Sequence, residues 1–341
     1  MTELVLPRET NKYPAMHSPS LRLNTRIAGR RLAVLLLGSA VCLSAGTAHA
    51  RISLEALRRD GYGMVELQRP EANTLTVAAT INGRESTLIV DTGWSDEGIT
   101  VRSDFEKILR SPIQAVKESG RSATGRSLGG FSKGVAHTVA MGNVRMGQVP
   151  IIFGKIGSLQ GSQHYVHAAG FLGSGFLSTC SAIIDLHNLR LYLRPPGTGR
   201  RAMIGAAMKA QGLAEVPFTI INHHCVVRVE INGAPGIMFV DTGATFATVD
   251  ERFTPQMKAK TRAARGTLID AAGIETQSKL TGAVSFRIAG VNVRAPDLRI
   301  SKFSFYGATG GRVIGLLGMD ILGRNGTIID FGQKKLYFYP L

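Results

Sequence analysis

The sequence predicts an all-β chain made of two similar lobes in tandem, and three observations predict it. Short runs rich in Val, Ile, Leu and Thr recur between Asn-Gly and Gly-Asn turn signals, at strand length rather than helix length. One tripeptide closes such a run twice: Asp91-Thr92-Gly93 after Leu88-Ile89-Val90, and Asp241-Thr242-Gly243 after Met238-Phe239-Val240. Other landmarks repeat around it in the same order. A carboxylate at the end of a fully apolar strand is costly unless it is paired, hydrogen-bonded or put to use. Two of them at matching points suggest one shared site.

The chain has 341 residues, 44% hydrophobic and 19% charged, with 40 Gly and a single tryptophan, Trp94. That length holds one large or two medium domains. Residues 1–50 read as a leader rather than as fold. Arg26, Arg30 and Arg31 precede the apolar run Leu32 to Leu43, and small residues lead to Ala48-His49-Ala50, an A-x-A cleavage pattern. The expectation is an exported chain, periplasmic or secreted, whose mature part begins near Arg51 and keeps no stable membrane span. Six Lys/Arg and two Asp/Glu lie in 1–50, which leaves 34 basic and 22 acidic residues beyond it. This excess favours anionic surroundings. The basic residues are dispersed, without aromatic interleaving or a known motif, so no nucleic-acid partner is expected.

Residues 51–73 are mixed and charged and read as an irregular lead-in. Leu75 to Ile81 and Thr87 to Val90 form a hairpin across Asn82-Gly83, whose residue types accept the positive φ of a tight turn. Ile99 to Val101 reads as a short strand. Ser103 and Glu106 carry the spacing of a capping box for a helix ending near Leu109. Residues 110–134, with Gly125, Gly129 and Gly130, read as a hairpin or loop. Val135 to Met141 and Val144 to Phe153 are strands around Gly142-Asn143, and 154–168 is a polar loop. Ser181 to Ile184 and Leu189 to Leu193 close the first lobe, 74–195. Pro195-Pro196-Gly197-Thr198-Gly199 opens a linker, 196–215, before the second lobe, 216–341.

The second lobe repeats the first. Ile81-Asn82-Gly83 and Ile231-Asn232-Gly233 each stand seven residues before Asp-Thr-Gly. Gly125 lies seventeen residues before Gly142, and Gly273 seventeen before Gly290. Phe171-Leu172-Gly173 matches Leu316-Leu317-Gly318, and Ile183-Ile184-Asp185 matches Ile328-Ile329-Asp330. The offset falls from 150 at Asp-Thr-Gly to 145 at the last pair. A single matched tripeptide means little. Four ordered landmarks mean duplication.

These residues resemble a lobe of the aspartic proteases: apolar-apolar-Asp-Thr-Gly, a later glycine hairpin, apolar-apolar-Gly and a closing hairpin. The short lobes look like the retropepsin type, and two lobes on one chain look like the pepsin arrangement. The resemblance implies two closed-barrel or sandwich lobes with an active-site cleft between them. It also implies an endopeptidase in which Asp91 and Asp241 activate a water between them. Two close carboxylates share a proton, so one acts as base towards water and the other as acid towards the carbonyl. Such titrations belong to the pair and assign neither role to one residue.

The resemblance further implies that Thr92 and Thr242 bond across the lobes and that Gly93 and Gly243 permit close approach. Ser95 and Thr245 would hydrogen-bond the carboxylates. Gly125 and Gly273 would stand near the tips of two flaps over an extended peptide. Trp94 departs from the family pattern, which has a small residue there as Ala244 does; it either packs under the cleft or lines a substrate pocket. Neither flap candidate carries the tyrosine of pepsin-type enzymes.

The expected partner is a peptide or protein substrate, with no cofactor and no metal, since no cysteine or histidine spacing suits a ligand set. His164, His167, His223 and His224 read as loop or surface residues. Cys180 and Cys225 either join the two halves or remain buried thiols. The expected active form is a monomer, with a homodimer as the rival geometry. The rival function is a catalytically weak protease-like module that binds peptides or envelope proteins.

Overall fold

In the computed structural model the structure describes residues 52–69, 74–109, 113–115, 120–128, 130–161 and 168–341. The leader 1–50, residues 70–73, parts of the first flap candidate (110–112, 116–119 and Gly129), and 162–167 with His164 and His167 lie outside the described residues.

The chain is all-β, with two lobes joined by one sheet. The first lobe is a barrel. Its strands run Thr76–Ile81, Arg84–Asp91, Gly170–Gly173, Ile99–Arg102, Val144–Gly154 and Ser132–Met141 in spatial order. Pairing of Thr80 with Ala140 and of Ile81 with Val139 closes the ring. The expected hairpin forms at Asn82 (φ 48°) and Gly83 (φ 80°). In the second lobe Ala234–Val240 pairs with His224–Ile231 on one side and Val313–Leu317 on the other. That lobe's sheet does not close into a ring as the first lobe's does. The strand homologous to Ser132–Met141 is split into Glu275–Thr281 and Phe286–Ile288, so the first piece pairs with Arg299–Ser301 and the second with His224–Ile231.

The six-stranded sheet between the lobes orders its strands Gly63–Glu66, Arg190–Leu193, Ile183–Asp185, Ile328–Asp330, Lys335–Phe338 and Ala214–Pro217. Its centre pairs the two copies of Ile-Ile-Asp with each other, Ile184 facing Ile329. An approximate twofold axis therefore passes through that pair. Leu191, Leu193, Leu336 and Phe338 are buried against it in a core shared with both lobes.

Two segments differ from the sequence reading. Residues 52–69, expected to be irregular, contain the helix Leu54–Arg59 and the strand Gly63–Glu66. The expected linker contains the matching helix Gly205–Ala210 and, from Ala214, the matching strand. The correspondence extends to the connections. Gly61 (φ 88°) and Gly212 (φ 82°) turn each helix into its strand, while Tyr62 N–H donates to the Leu57 carbonyl as Leu213 N–H does to Met208. Each repeat thus begins about twenty residues earlier than its conspicuous motifs. Amphipathic helices of six residues are too short for periodicity to reveal. Ser103 also departs from expectation: its carbonyl accepts from Glu106 N–H, while the Glu106 carboxylate accepts from the Ser132 hydroxyl, so no reciprocal capping box forms. Cys180 and Cys225 are buried free thiols.

Candidate active site

Each aspartate is delivered by an apolar strand locked from behind. In the first lobe Gly170–Gly173 threads between the strand entering the Asp91 turn and the strand leaving it. Leu172 pairs with Val90 in parallel register and with Ile99 in antiparallel register. In the second lobe Leu317 stands beside Val240 in the same way, and its carbonyl accepts from Asp241 N–H at 3.0 Å. The short helices that follow hold the turns down. Ser174 N–H donates to the Trp94 carbonyl (2.7 Å), and Met319 N–H to the Ala244 carbonyl (2.9 Å).

The two turns meet through their threonines. Thr92 N–H donates to Thr242 Oγ1 (3.0 Å) and Thr242 N–H to Thr92 Oγ1 (2.9 Å). Each hydroxyl passes its own proton to a carbonyl of the other lobe, Thr92 to Val240 and Thr242 to Val90, both at 2.7 Å. Both threonines are fully buried. Asp91 Oδ1 accepts from Gly93 N–H (2.8 Å) and Trp94 N–H (3.2 Å); Asp241 Oδ1 accepts from Gly243 N–H (2.9 Å) and Ala244 N–H (3.0 Å).

Glycine is obligatory after each threonine. A Cβ on Gly93 would stand 2.6 Å from the Asp241 carboxyl, and one on Gly243 2.4 Å from that of Asp91. The carboxylates thus sit within hydrogen-bonding reach of each other, with the opposite glycine packed against each. Burial raises both carboxyls above the ordinary range, and the neighbouring Asp91 charge raises Asp241 further. Such a pair holds one proton over a wide pH interval, the state that supplies a base and an acid together.

Of the other site residues read from the sequence, Ser95 is not joined to Asp91, whose bonds come from backbone N–H groups instead. Thr245 accepts Asp320 N–H through its carbonyl and lines a cavity beside Asp241. Trp94 is packed inward. It stacks on Phe171 (centroids 4.8 Å apart, 15° between planes), and its indole N–H points at Asp96 Oδ2 (2.7 Å) and Thr100 Oγ1 (2.8 Å).

Gly125 and Gly273 stand in the turns of two hairpins, Gly120–Arg121 with Ser127–Leu128 and Thr261–Ile269 with Glu275–Thr281. Each hairpin crosses to the opposite lobe. The Ala123 carbonyl accepts from Ser304 N–H (3.0 Å), and the Ala271 carbonyl accepts from Ser158 N–H (3.2 Å). The tips also touch each other, Thr124 donating its hydroxyl to Asp270.

Sequence reading missed these latches, because a serine at the start of a five-residue helix carries no distinctive pattern. It also missed His224. Its ring is half-buried against Phe239 (4.9 Å) and bonds the Gly93 backbone, and burial lowers its pKa. The adjacent His223 is the exposed member of the pair and faces Glu97 at 3.6 Å. Among the described residues no group of three His, Cys, Asp or Glu side chains is placed to hold a metal ion.

Residues 227–324 match the family described as "gag-polyprotein putative aspartyl protease". A crystal structure of aspartic proteinase from Irpex lacteus superposes with a TM-score of 0.47 at 14% identity, covering 82% of this chain and 97% of that one. No curated protein matches the chain in sequence. The family match contains Asp241-Thr242-Gly243, and the first lobe presents the same turn to it across the threonine pair. The second lobe thus matches an aspartyl protease family over residues 227–324, and the first lobe repeats its Asp-Thr-Gly turn.

Proposed function

We propose that the protein is an aspartic-type endopeptidase, with Asp91 and Asp241 activating a water between them. The observation that carries this reading is the buried carboxyl pair within hydrogen-bonding reach, held by four backbone N–H donors and a buried threonine lock. The ionised member takes a proton from water as its oxygen attacks the peptide carbon, and the protonated member gives its proton to the carbonyl oxygen. The carboxyl that took the water proton then passes it to the amide nitrogen as the C–N bond breaks, while a hydroxyl of the diol returns its proton to the other carboxylate and becomes the product carbonyl. The flaps supply the other requirement. With both tips latched across the cleft, bulk water is excluded and an extended backbone has edges to pair with.

Both halves of the site come from one chain, which supports a monomeric working form. The basic, apolar leader and its A-x-A pattern support export to the envelope or beyond. Among the described residues no helix is long and apolar enough to cross a membrane.

Digestion of a peptide library by the purified protein, beside Asp241→Asn, tests the reading. Cleavage products absent from the variant are expected. Equal products from both preparations would refute a shared dyad.

A further inference from the structure

The pseudo-twofold axis relates the surroundings of the two aspartates position by position, and three of four pairs place the bulkier apolar residue in the first lobe, Ile156 and Phe303 being the exception. Trp94 and Ala244 each follow Asp-Thr-Gly. Phe171 lies opposite Thr100 in its sheet as Leu316 lies opposite Thr248. Ile156 and Phe303 each precede the short helix that takes the opposite flap. Leu128 and Thr276 each stand three residues beyond a flap glycine.

In the first lobe Trp94, Phe171, Ile156 and Leu128 are buried together, and the second flap's Ala271 and Ala272 pack on them. In the second lobe Ala244, Leu316, Phe303 and Thr276 line an open cavity of about 340 Å³ under the first flap's Ala123 and Thr124. That volume lies at the small end of the roughly 300–1,000 Å³ of ligand pockets. It has room for one bulky apolar side chain.

We propose that Trp94 permanently occupies the first-lobe side-chain subsite. The enzyme then accepts one large apolar residue, in the second-lobe cavity, and only a small residue across the scissile bond. The axis that relates the two subsites passes between the aspartates, so the subsites lie on opposite sides of the bond cleaved. Displacing Trp94 would break its stack on Phe171 and its bonds to Asp96 and Thr100, so a substrate side chain does not compete for the space. Trp94 acts here as a specificity residue. This inference rests on the endopeptidase reading.

The test is a peptide-library digest with cleavage sites read by mass spectrometry. Large apolar residues are expected to be enriched on one side of the cut and depleted at least about tenfold on the other. Trp94→Ala should raise kcat/KM for peptides with large apolar residues on both sides by a similar factor. Because that variant removes a stacked core ring, Thr276→Phe provides a second arm. It should fill the second-lobe cavity and lower kcat/KM for large apolar residues at least about tenfold more than for peptides with Ala or Gly on both sides. Wild-type cleavage of doubly apolar bonds as fast as singly apolar ones overturns the assignment and leaves the peptidase reading intact. If no peptide is cleaved, the peptidase reading falls, and titration calorimetry with the same peptides decides the subsite. Preferential binding of singly apolar peptides sustains it, and equal affinity overturns it.

Discussion

Thr92 and Thr242 exchange hydrogen bonds reciprocally: the N–H of each is satisfied by the hydroxyl of the other, at 3.0 and 2.9 Å. Each hydroxyl also donates to the residue just before the opposite aspartate. The spacing of the paired carboxylates is thereby set by four bonds in the dry interior rather than by the carboxylates, which repel when both are charged.

Replacing Thr242 with valine keeps the volume and removes the hydroxyl. Thr92 N–H and the Val90 carbonyl are then left buried with no partner from that side chain. An unsatisfied buried group costs about 1–3 kcal/mol, so a loss of roughly 2–4 kcal/mol is expected in denaturant unfolding. Thr242→Ser should lose far less. Equal stability of the valine and serine variants would show that the lock is not energetic.

Asp91→Asn and Asp241→Asn should each lower kcat at least about 100-fold, the lower range of general acid–base contributions. Stability should move the other way. Both carboxyls are raised in the folded state, so the folded protein holds protons that the unfolded chain releases near pH 4. That contribution is complete below the unfolded value and is lost as pH rises through the raised one. Asp241→Asn removes the charge conflict, so its unfolding midpoint should gain on wild type between about pH 4 and neutrality. Asp330, pushed up to about 6 by burial, is common to both proteins and cancels in the comparison. A midpoint difference independent of pH would contradict a shared proton.

Cys180 and Cys225 should be silent. Burial pushes the Cys180 thiol up to about 12 and raises Cys225 as well, so neither forms thiolate at ordinary pH. Native protein should resist alkylation while unfolded protein takes up two labels from these residues, and reductant should leave the melting temperature unchanged. Rapid labelling of either thiol in folded protein would refute its burial.

The duplicated strands and turns were legible because a buried strand ending in Asp-Thr-Gly leaves little freedom: Gly93 and Gly243 have no space for a Cβ, and Thr92 needs Thr242. Leu172 and Leu317 were legible as well, since each is a buried apolar residue paired beside the residue that precedes an aspartate. What escaped is long-range. The indole of Trp94 is read correctly only when Asp96, Thr100 and Phe171 are seen around it. His224 passed as a surface residue because its partner, Gly93, comes from the other lobe. The helices Leu54–Arg59 and Gly205–Ala210 are too short to show a period, although the matching glycines Gly61 and Gly212 mark both ends.

The flap latches offer a way to perturb catalysis without touching the dyad. Gly157 opens the helix that receives the second flap, and a Cβ there would stand 2.3 Å from the Ala272 carbonyl. Backbone cannot yield as a side-chain tip can, so Gly157→Ala should hold that flap off the first lobe and weaken the bond from Ser158 to Ala271. Helix propensity favours alanine over glycine, so global stability should not fall. Misplacement of a closing element by about an ångström can cost 100-fold in rate, and a loss of at least about tenfold in kcat/KM is expected. As a control, Gly290→Ala alters a turn with no neighbour within 4 Å of its added Cβ. It is strained at φ 89° and should cost stability while leaving kcat/KM of the folded fraction unchanged. If Gly157→Ala keeps full activity, the second flap does not need its latch in the working cycle.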